Sequence, residues 1–297
     1  MLRWEPAAEE LFLQTVGCEL RDWAIGAGMH GISSRVIAPM LTMRLRFTLA
    51  LLSFAVAAFV ARAGESFDQS HARFGRVLTS FVKDAKVDYA KLKADPVELD
   101  AYLREIAAVP AAEFARWSEA DRLALLLNLY NAQTLRLIID HYPLKSIRDI
   151  GTLPGAAWRE PVVRQGGQLM TLDHLENKII RVDYREPRIH FALVCAAVSC
   201  PPLRSEAYTG ARLNTQLDDQ ARVFLATAEK NWFDAKDGTL HLSPIFKWYE
   251  QDFTTPAGSV AAYVKPYLPE AQLKVLTDPA KVKLKFTEYD WVLNVQK

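Results

Sequence analysis

Cysteine is scarce in this chain, and the few cysteines are poorly spaced for a metal module. The 297 residues include three, at positions 18, 195 and 200. So few exclude a disulfide-dense scaffold, and their spacing excludes paired C-x-x-C zinc modules. An excess of one charge is also absent, because 36 Lys and Arg nearly balance 35 Asp and Glu. A general nucleic-acid binder is therefore disfavoured.

Linkers and repeats are lacking too. From Phe67 to Lys297 we find no Ser/Gly-rich stretch, no long run of one charge and no repeat at a fixed period, which argues against several domains. Half of all residues are apolar, which is enough for a sizeable core. The sequence therefore predicts one domain over residues 64–297.

The N-terminal region carries an export pattern. The basic segment Met43–Arg46 precedes an apolar run, Phe47–Ala61, and Ala61-Arg62-Ala63 has the small-x-small form of a signal-peptidase site. The run of about 15 residues is shorter than the roughly 20 that a membrane span needs. We predict a signal peptide at 43–63, a periplasmic or secreted mature protein, and no stable membrane span after cleavage. An uncleaved anchor is the alternative.

Residues 1–42 do not fit that pattern, because a signal sequence works from the extreme N-terminus. We interpret residues 1–42 as a mis-assigned extension, with translation starting at Met40 or Met43. Cys18 then has no part in the chemistry. The alternative is a genuine cytoplasmic extension with an amphipathic stretch over residues 9–23.

Apolar spacing predicts a mostly helical domain. Residues at i, i+3, i+4 and i+7 indicate one helix beginning near Phe74 and another near Leu99. Ser118 with Asp121 resembles a capping box, which opens a helix that ends near His141. That helix is apolar around most of its circumference, so it should be the central buried helix. Further helices are predicted at 171–179, 212–226, 244–253 and 259–267.

Strand signals are fewer. Gly166-Gly167 lies between two β-prone segments and predicts a hairpin. Ile189–Cys195 is β-prone and mostly apolar, so we predict a buried strand, and Lys281–Phe286 alternates as a half-exposed strand does. The predicted fold class is α+β: a single mostly helical domain with a small, largely antiparallel sheet.

Three polar residues stand out within the predicted helices. Asn128 and Asn131 are three residues apart on the central helix, so they could hold one polar group together, or they could bond nearby backbone and fix a loop. Glu176 follows a predicted cap at Thr171. It could orient a catalytic base, although a solvated carboxylate on an amphipathic helix is the alternative.

The most informative stretch joins His190, Cys195 and Cys200. In a straight strand His190 and Cys195 would point to opposite faces. The loop that contains Pro201 and Pro202 could return Cys200 to His190.

Three chemistries fit these residues. Cys200 could be a nucleophile activated by His190, with Glu176 or an Asn orienting the imidazole. Cys195 and Cys200 could form a disulfide, or both could bind zinc together with His190 and a carboxylate. The remaining interpretation is two small buried thiols beside a structural histidine.

Six motifs together resemble the domain of unknown function 547. They are N-L-Y-N-A at 128–132, H-Y-P-L-K-S-I at 141–147, T-L-D-H-L-E at 171–176, R-I-H-F-A-L-V-C at 188–195, S-C-P-P-L at 199–203 and Y-D-W-V-L-N at 289–294. The resemblance implies that bacterial relatives are often secreted or envelope proteins, and that eukaryotic relatives join this domain to coiled coils or to glutaredoxin and DEP modules. The family's marked residues fall by position at Asn128, Asn131, Glu176, His190, Cys195 and Cys200.

The functional expectation is a thiol-dependent hydrolase or acyl transferase acting on a peptide or amide. Its expected catalytic residues are Cys200, His190 and Glu176, with Asn128, Asn131 and Cys195 binding substrate. No cofactor and no metal is expected, and the expected partner is a small peptide or a protein. The alternative is a non-catalytic binding module of the cell envelope, with an aromatic cleft formed by the segment from Phe246 to Phe253.

Overall fold

The computed structural model describes residues 66–270, 278–279 and 282–296. The predicted extension at 1–42, with Cys18, and the predicted signal peptide at 43–63 lie outside these residues. The described residues from Phe67 onward belong to one compact unit. Within the described ranges, none of the helices is both long enough and apolar enough to cross a bilayer.

Most of the described chain is helical. The α-helices are α1 Ala72–Phe81, α2 Tyr89–Ala94, α3 Val97–Ala108, α4 Ala111–Phe114, α5 Glu119–His141, α6 Ala156–Arg159, α7 Leu172–His174, α8 Arg181–Tyr184, α9 Ile189–Ala192, α10 Leu213–Leu225, α11 Ile245–Trp248, α12 Glu250–Ala257 and α13 Val260–Val264. A π-helical turn, Leu175–Ile180, joins α7 to α8. Short 3₁₀ turns lie at Ile147–Asp149, Gly210–Arg212 and Lys265–Tyr267.

The central helix forms as the sequence predicts. Ser118 Oγ accepts the Asp121 N–H at 3.1 Å, which satisfies one of the free donors at the helix start. Helix α5 is buried around its whole circumference from Leu123 to Leu135. Pro143 follows its end and cannot continue it. The neighbouring helices α2 and α3 pack against α5, so α5 is the axis of the larger hydrophobic core.

The strands are short and form three small sheets. They are β1 Val82–Lys83, β2 Lys86–Val87, β3 Val163–Gln165, β4 Gln168–Met170, β5 Trp232–Asp234, β6 Thr239–Leu242 and β7 Lys283–Phe286. The pairs β1–β2, β3–β4 and β5–β6 are antiparallel, whereas β6 and β7 are parallel. The hairpin predicted at Gly166-Gly167 is present, and both glycines have positive φ. The α+β class is therefore confirmed.

The strand predicted at Ile189–Cys195 is wrong. Residues Ile189–Ala192 form α9, and the chain becomes extended only at Leu193. Leu193 N–H donates to the Ile189 carbonyl at 2.9 Å, as in a helical turn. A short apolar run cannot distinguish a strand from a helical turn that is buried on every side. The expectation that His190 and Cys195 point to opposite faces of a strand therefore no longer applies.

Helix α9 lies where two hydrophobic cores meet. Ile189 and Ala192 belong to the larger core around α5. Phe191 belongs to a second core, which α10, β6 and α11 to α13 build around Phe224, Phe246 and Phe253. The junction of these cores is the region that holds the candidate site.

Candidate thiol site

A cavity of about 220 Å³ opens at the junction of the two cores. It brings together four of the residues predicted from the sequence: Glu176, His190, Cys195 and Cys200. Its aromatic wall consists of Tyr130, Trp158, Trp248, Tyr249, Tyr289 and Trp291. Because these residues come from distant parts of the chain, only the tertiary fold assembles them.

The two cysteines lie side by side and are free thiols. Their Sγ atoms are 3.0 Å apart, and the Cys195 N–H donates to Cys200 Sγ at 2.9 Å. The segment between them turns back at Ala196, which has a φ of 61°. A left-handed conformation is unfavourable for a residue with a side chain and often marks a functional segment. The turn is what brings the two sulfurs together.

The pKa values of the two thiols move in opposite directions. Burial acts to raise the pKa of Cys200, but hydrogen bonds from the side chain and backbone of Cys195 and from Tyr289, with the charge of Lys230, lower it overall. The pKa of Cys195 rises well above its usual value because of its contact with Cys200 and because of burial. Cys200 is therefore the sulfur that carries negative charge more readily.

Tyr289 and Lys230 complete the surroundings of the thiols. The Tyr289 hydroxyl lies 3.2 Å from Cys195 Sγ, and burial raises its pKa well above the usual value, so it stays protonated. Lys230 Nζ donates to the Cys200 carbonyl at 2.7 Å. The sequence reasoning missed both residues. Tyr289 lay in a quoted family motif, but nothing in its spacing pointed to the thiols.

His190 lines the same cavity but is bonded elsewhere. Its side chain is only 1% exposed, and Nε2 lies 2.7 Å from Asp252 Oδ2. The imidazole also stacks on the Tyr249 ring, with 3.9 Å between centroids. Among the hydrogen bonds of the described residues, none joins His190 to Cys200 and none involves His190 Nδ1. The predicted direct contact between imidazole and thiol is thus not formed in this conformation.

Asp252 is the carboxylate that orients His190, a role the sequence reasoning gave to Glu176 or an Asn. Arg181 holds Asp252 by two further bonds, Nε to Oδ2 at 2.7 Å and the second guanidinium nitrogen to Oδ1 at 2.9 Å. Burial acts to raise the pKa of Asp252, but the hydrogen bonds from His190 and Arg181 hold it well below its usual value. Asp252 therefore stays ionised and fixes the imidazole. The sequence offered no signal that α12 would meet α9.

Glu176 bonds to two tyrosines instead of to His190. Tyr249 donates to Oε1 at 2.6 Å and Tyr130 donates to Oε2 at 3.0 Å. Burial raises the pKa of both tyrosines far above the usual value, so both hydroxyls remain donors. Glu176 lies in the π-helical turn, an irregularity that often occurs at functional sites. It is 7% exposed and faces the cavity.

Asn128 and Asn131 do not line the cavity. Asn128 accepts the Tyr208 N–H at 2.9 Å and donates to the Tyr208 carbonyl at 2.7 Å. Asn131 accepts the Val194 N–H and donates to the Ala192 carbonyl, each at 2.9 Å. Of the two interpretations of these amides, the geometry matches the one in which they bond backbone. Asn131 fixes the segment that leads into Cys195.

The described residues contain no cluster of side chains that matches the zinc interpretation. Across residues 66–270, 278–279 and 282–296, the side chains of His, Cys, Asp and Glu form no group of three or more arranged to hold a metal ion. Cys195 and Cys200 contact each other and Tyr289, while His190 contacts Asp252.

Comparison with known proteins identifies one family. Residues 114–225 match the family described as "Protein of unknown function, DUF547", so the resemblance predicted from the motifs is confirmed. The matched segment contains every quoted motif except the one at Tyr289–Asn294. No curated protein and no solved structure matches the chain.

Proposed function

We propose that this chain, whose residues 114–225 belong to the DUF547 family, is a thiol-dependent acyl transferase or hydrolase acting on a peptide or amide. The nucleophile is Cys200. The observation that carries this proposal is the set of donors on Cys200 Sγ, namely the Cys195 N–H at 2.9 Å and the Cys195 thiol at 3.0 Å. Such donors stabilise a thiolate in a buried setting, and the thiolate is the reactive form.

The reaction would begin with addition of the Cys200 thiolate to a carbonyl carbon. A carbon–sulfur bond forms and the carbonyl electron pair moves to oxygen. The protonated Tyr289 hydroxyl is close enough to the thiols to donate to that oxygen. The carbon–nitrogen bond then breaks, the leaving amine takes up a proton, and a thioester remains on Cys200. Water or an acceptor amine releases the acyl group.

His190 is the group we propose to move the proton. Asp252 accepts from Nε2, so Nδ1 is an acceptor whenever the ring carries a single proton. His190 and Cys200 line one cavity without a direct hydrogen bond between them. A water molecule or the substrate's own nitrogen would therefore carry the proton between the thiol and the imidazole. Asp252 serves as the positioning residue that holds the ring.

The distance between the two sulfurs favours a second candidate function, dithiol–disulfide exchange. Sulfur atoms 3.0 Å apart need to approach by about 1 Å to reach a disulfide bond length of about 2.05 Å. The Cys200 thiolate would attack a disulfide of a partner and release one partner thiol. Cys195 would then displace the second, which leaves a Cys195–Cys200 disulfide and a reduced partner.

Alkylation kinetics test the nucleophile. Cys200 should react with iodoacetamide at neutral pH faster than free cysteine, because its pKa is lowered, and Cys195 should react more slowly. Peptide mass spectrometry after timed quenching reads each site separately. Cys195→Ser keeps the backbone donor and is the matched control for Cys200→Ser. If neither cysteine is alkylated faster than free cysteine, the thiol proposal is refuted, and the non-catalytic binding module is the function that remains.

A second measurement separates acyl transfer from disulfide exchange. A small thioester or activated amide probe should leave an acyl group on Cys200 of the reduced protein, detected as an added mass that hydroxylamine removes. Incubation with oxidised glutathione should instead remove two hydrogens from the pair if disulfide exchange is the function. Acylation without oxidation supports the first candidate, and oxidation without acylation supports the second.

The export pattern leads us to infer that the mature protein works in the periplasm or outside the cell. The pattern is the basic segment, apolar run and small-x-small site within residues 43–63. N-terminal sequencing of the protein recovered from the periplasm or medium should find Gly64 as the first residue. A first residue before Gly64 would contradict cleavage at this site.

A further inference from the structure

The cavity of the thiol site has an unbalanced charge. Two carboxylates line it, those of Asp173 and Glu176, and no Lys or Arg is among its described lining residues. Glu176 is 93% buried, since its relative exposure is 7%. Both of its oxygens accept from tyrosine hydroxyls. Within the described part of the chain Glu176 forms no ion pair.

Three cations that contact lining residues are each held by another group. Lys230 donates to the Cys200 carbonyl, and Arg148 Cζ lies 5.3 Å from the centre of the Trp291 ring. Arg181 Cζ lies 4.8 Å from the centre of the Tyr249 ring, and its ion pair is with Asp252 at 2.7 Å. A buried carboxylate is costly unless an opposite charge pairs with it. Glu176 therefore offers whatever enters the cavity a carboxylate that has no salt-bridge partner among the described residues.

The aromatic wall favours a cation as well. Trp291 lies at its centre, with its ring 4.5 Å from Tyr289, 5.9 Å from Trp248 and 6.0 Å from Trp158. Trp248 is 48% exposed although it contacts these rings, so part of the wall is open to solvent. The faces of tryptophan and tyrosine rings attract organic cations, most strongly where water is excluded. The carboxylates and the aromatic faces therefore both favour a positively charged group.

We propose that this cavity binds an organic ammonium group between Glu176 and the indole rings of Trp248 and Trp291. Resting on the thiol chemistry proposed above, this names the substrate class: a peptide or amide whose acyl portion carries an ammonium group. An anionic substrate would face both carboxylates, and a neutral one would leave Glu176 unpaired. Ammonium binding itself does not need the thiol.

Choline and its uncharged isostere, in which carbon replaces the quaternary nitrogen, form the test pair. Titration followed by tryptophan fluorescence and calorimetry should show choline binding about tenfold more tightly than the isostere, which corresponds to about 1.4 kcal/mol. Glu176→Gln should remove most of that difference and leave the isostere unchanged. Asp95→Asn changes an exposed carboxylate that does not line the cavity, so it should leave both affinities unchanged.

The outcomes separate this inference from the thiol proposal. Cys200→Ser should keep the preference for choline. If Cys200 is unreactive but choline is preferred, the ammonium site stands and the thiol chemistry falls. If Cys200 is reactive but choline and the isostere bind equally, or neither binds, the ammonium site is refuted. If Glu176→Gln does not fold, Asp173→Asn and Trp248→Leu test the ammonium site instead. Each should weaken choline binding several-fold.

Discussion

The central helix and the thiol cavity show opposite relations between sequence and structure. Helix α5 is a continuous stretch, and its cap, apolar surface and end are all determined within residues 118–143. The cavity takes its groups from α5, the π-helical turn, α9, the Cys195–Cys200 turn, α11 and the C-terminal segment at Tyr289 and Trp291. Local patterns are therefore enough to predict the helix, whereas no local pattern predicts the cavity.

The two regions also differ in what fills them. The surroundings of α5 are apolar and packed, while the cavity holds carboxylates, thiols and an imidazole whose bonds cross between elements. Apolar packing surrounds most of the first region, whereas hydrogen bonds between elements position the functional side chains of the second. Substitutions in the two regions should consequently differ in both size and kind.

The largest effect on stability is expected in the central helix. Leu127 is fully buried there, so Leu127→Ala should lower the free energy of unfolding by about 2 to 5 kcal/mol through lost burial and a cavity. Denaturant unfolding followed by circular dichroism measures it. Leu153→Ala is the matched control, because Leu153 is 67% exposed and its truncation should change stability by less than about 0.5 kcal/mol. Equal effects would contradict the assignment of α5 to the core.

Asn131 links the two regions, and its removal should affect both. Asn131→Ala leaves the Ala192 carbonyl and the Val194 N–H without their partner, which should cost about 1 to 3 kcal/mol. It should also change the alkylation rate of Cys195 or Cys200, because the segment leading to them loses its anchor. Asn214→Ala, at an exposed position, should do neither. A loss of stability with unchanged thiol kinetics would show that the Cys195–Cys200 turn does not depend on Asn131.

In the cavity region, Asp252→Asn should lower the free energy of unfolding of the protein by an amount that depends on pH. The pKa of Asp252 lies below its unfolded value, so its contribution is fully present above the unfolded pKa of about 4 and is lost as pH falls towards the folded pKa. At neutral pH the variant should be about 1 to 2 kcal/mol less stable than the original protein. Unfolding curves at several pH values should converge under acid conditions. A difference that grows with acid would contradict the ion pair with Arg181.

The smallest effect is expected from Lys230. Its charge lowers the pKa of Cys200, and Lys230→Met removes that charge while keeping much of the side chain's length. The pKa of Cys200 should rise, and its alkylation at neutral pH should slow by a factor of about two to five. The free energy of unfolding should fall by about 1 kcal/mol at most, because the Cys200 carbonyl loses its Lys230 donor. The midpoint of the alkylation rate against pH measures the shift, with Lys236→Met as an exposed control. An unchanged midpoint would assign the lowered pKa to the Cys195 and Tyr289 bonds alone.

Sequence reasoning succeeded where a feature depends on neighbours along the chain. The caps at Ser118 and Thr171 accept the backbone N–H groups three residues on, as predicted, and the Gly166-Gly167 hairpin forms. The strand predicted at Ile189–Cys195 was wrong. A helical turn that is buried on every side is made of the same apolar residues as a buried strand. Sequence reasoning also placed Glu176 beside the imidazole, a position that Asp252 occupies instead.

By itself, the sequence determined the α+β class, the central helix with its boundaries, the family resemblance and the set of residues worth considering. Caps, turns and apolar periodicity act over a few residues, so they can be recognised in a linear string. Only the tertiary structure decided that Asp252 holds His190, that Tyr130 and Tyr249 hold Glu176, and that the Cys195 thiol bonds to Cys200 Sγ. Those contacts join residues tens of positions apart, or depend on a turn through a left-handed Ala196, and they form only where two separately packed cores meet.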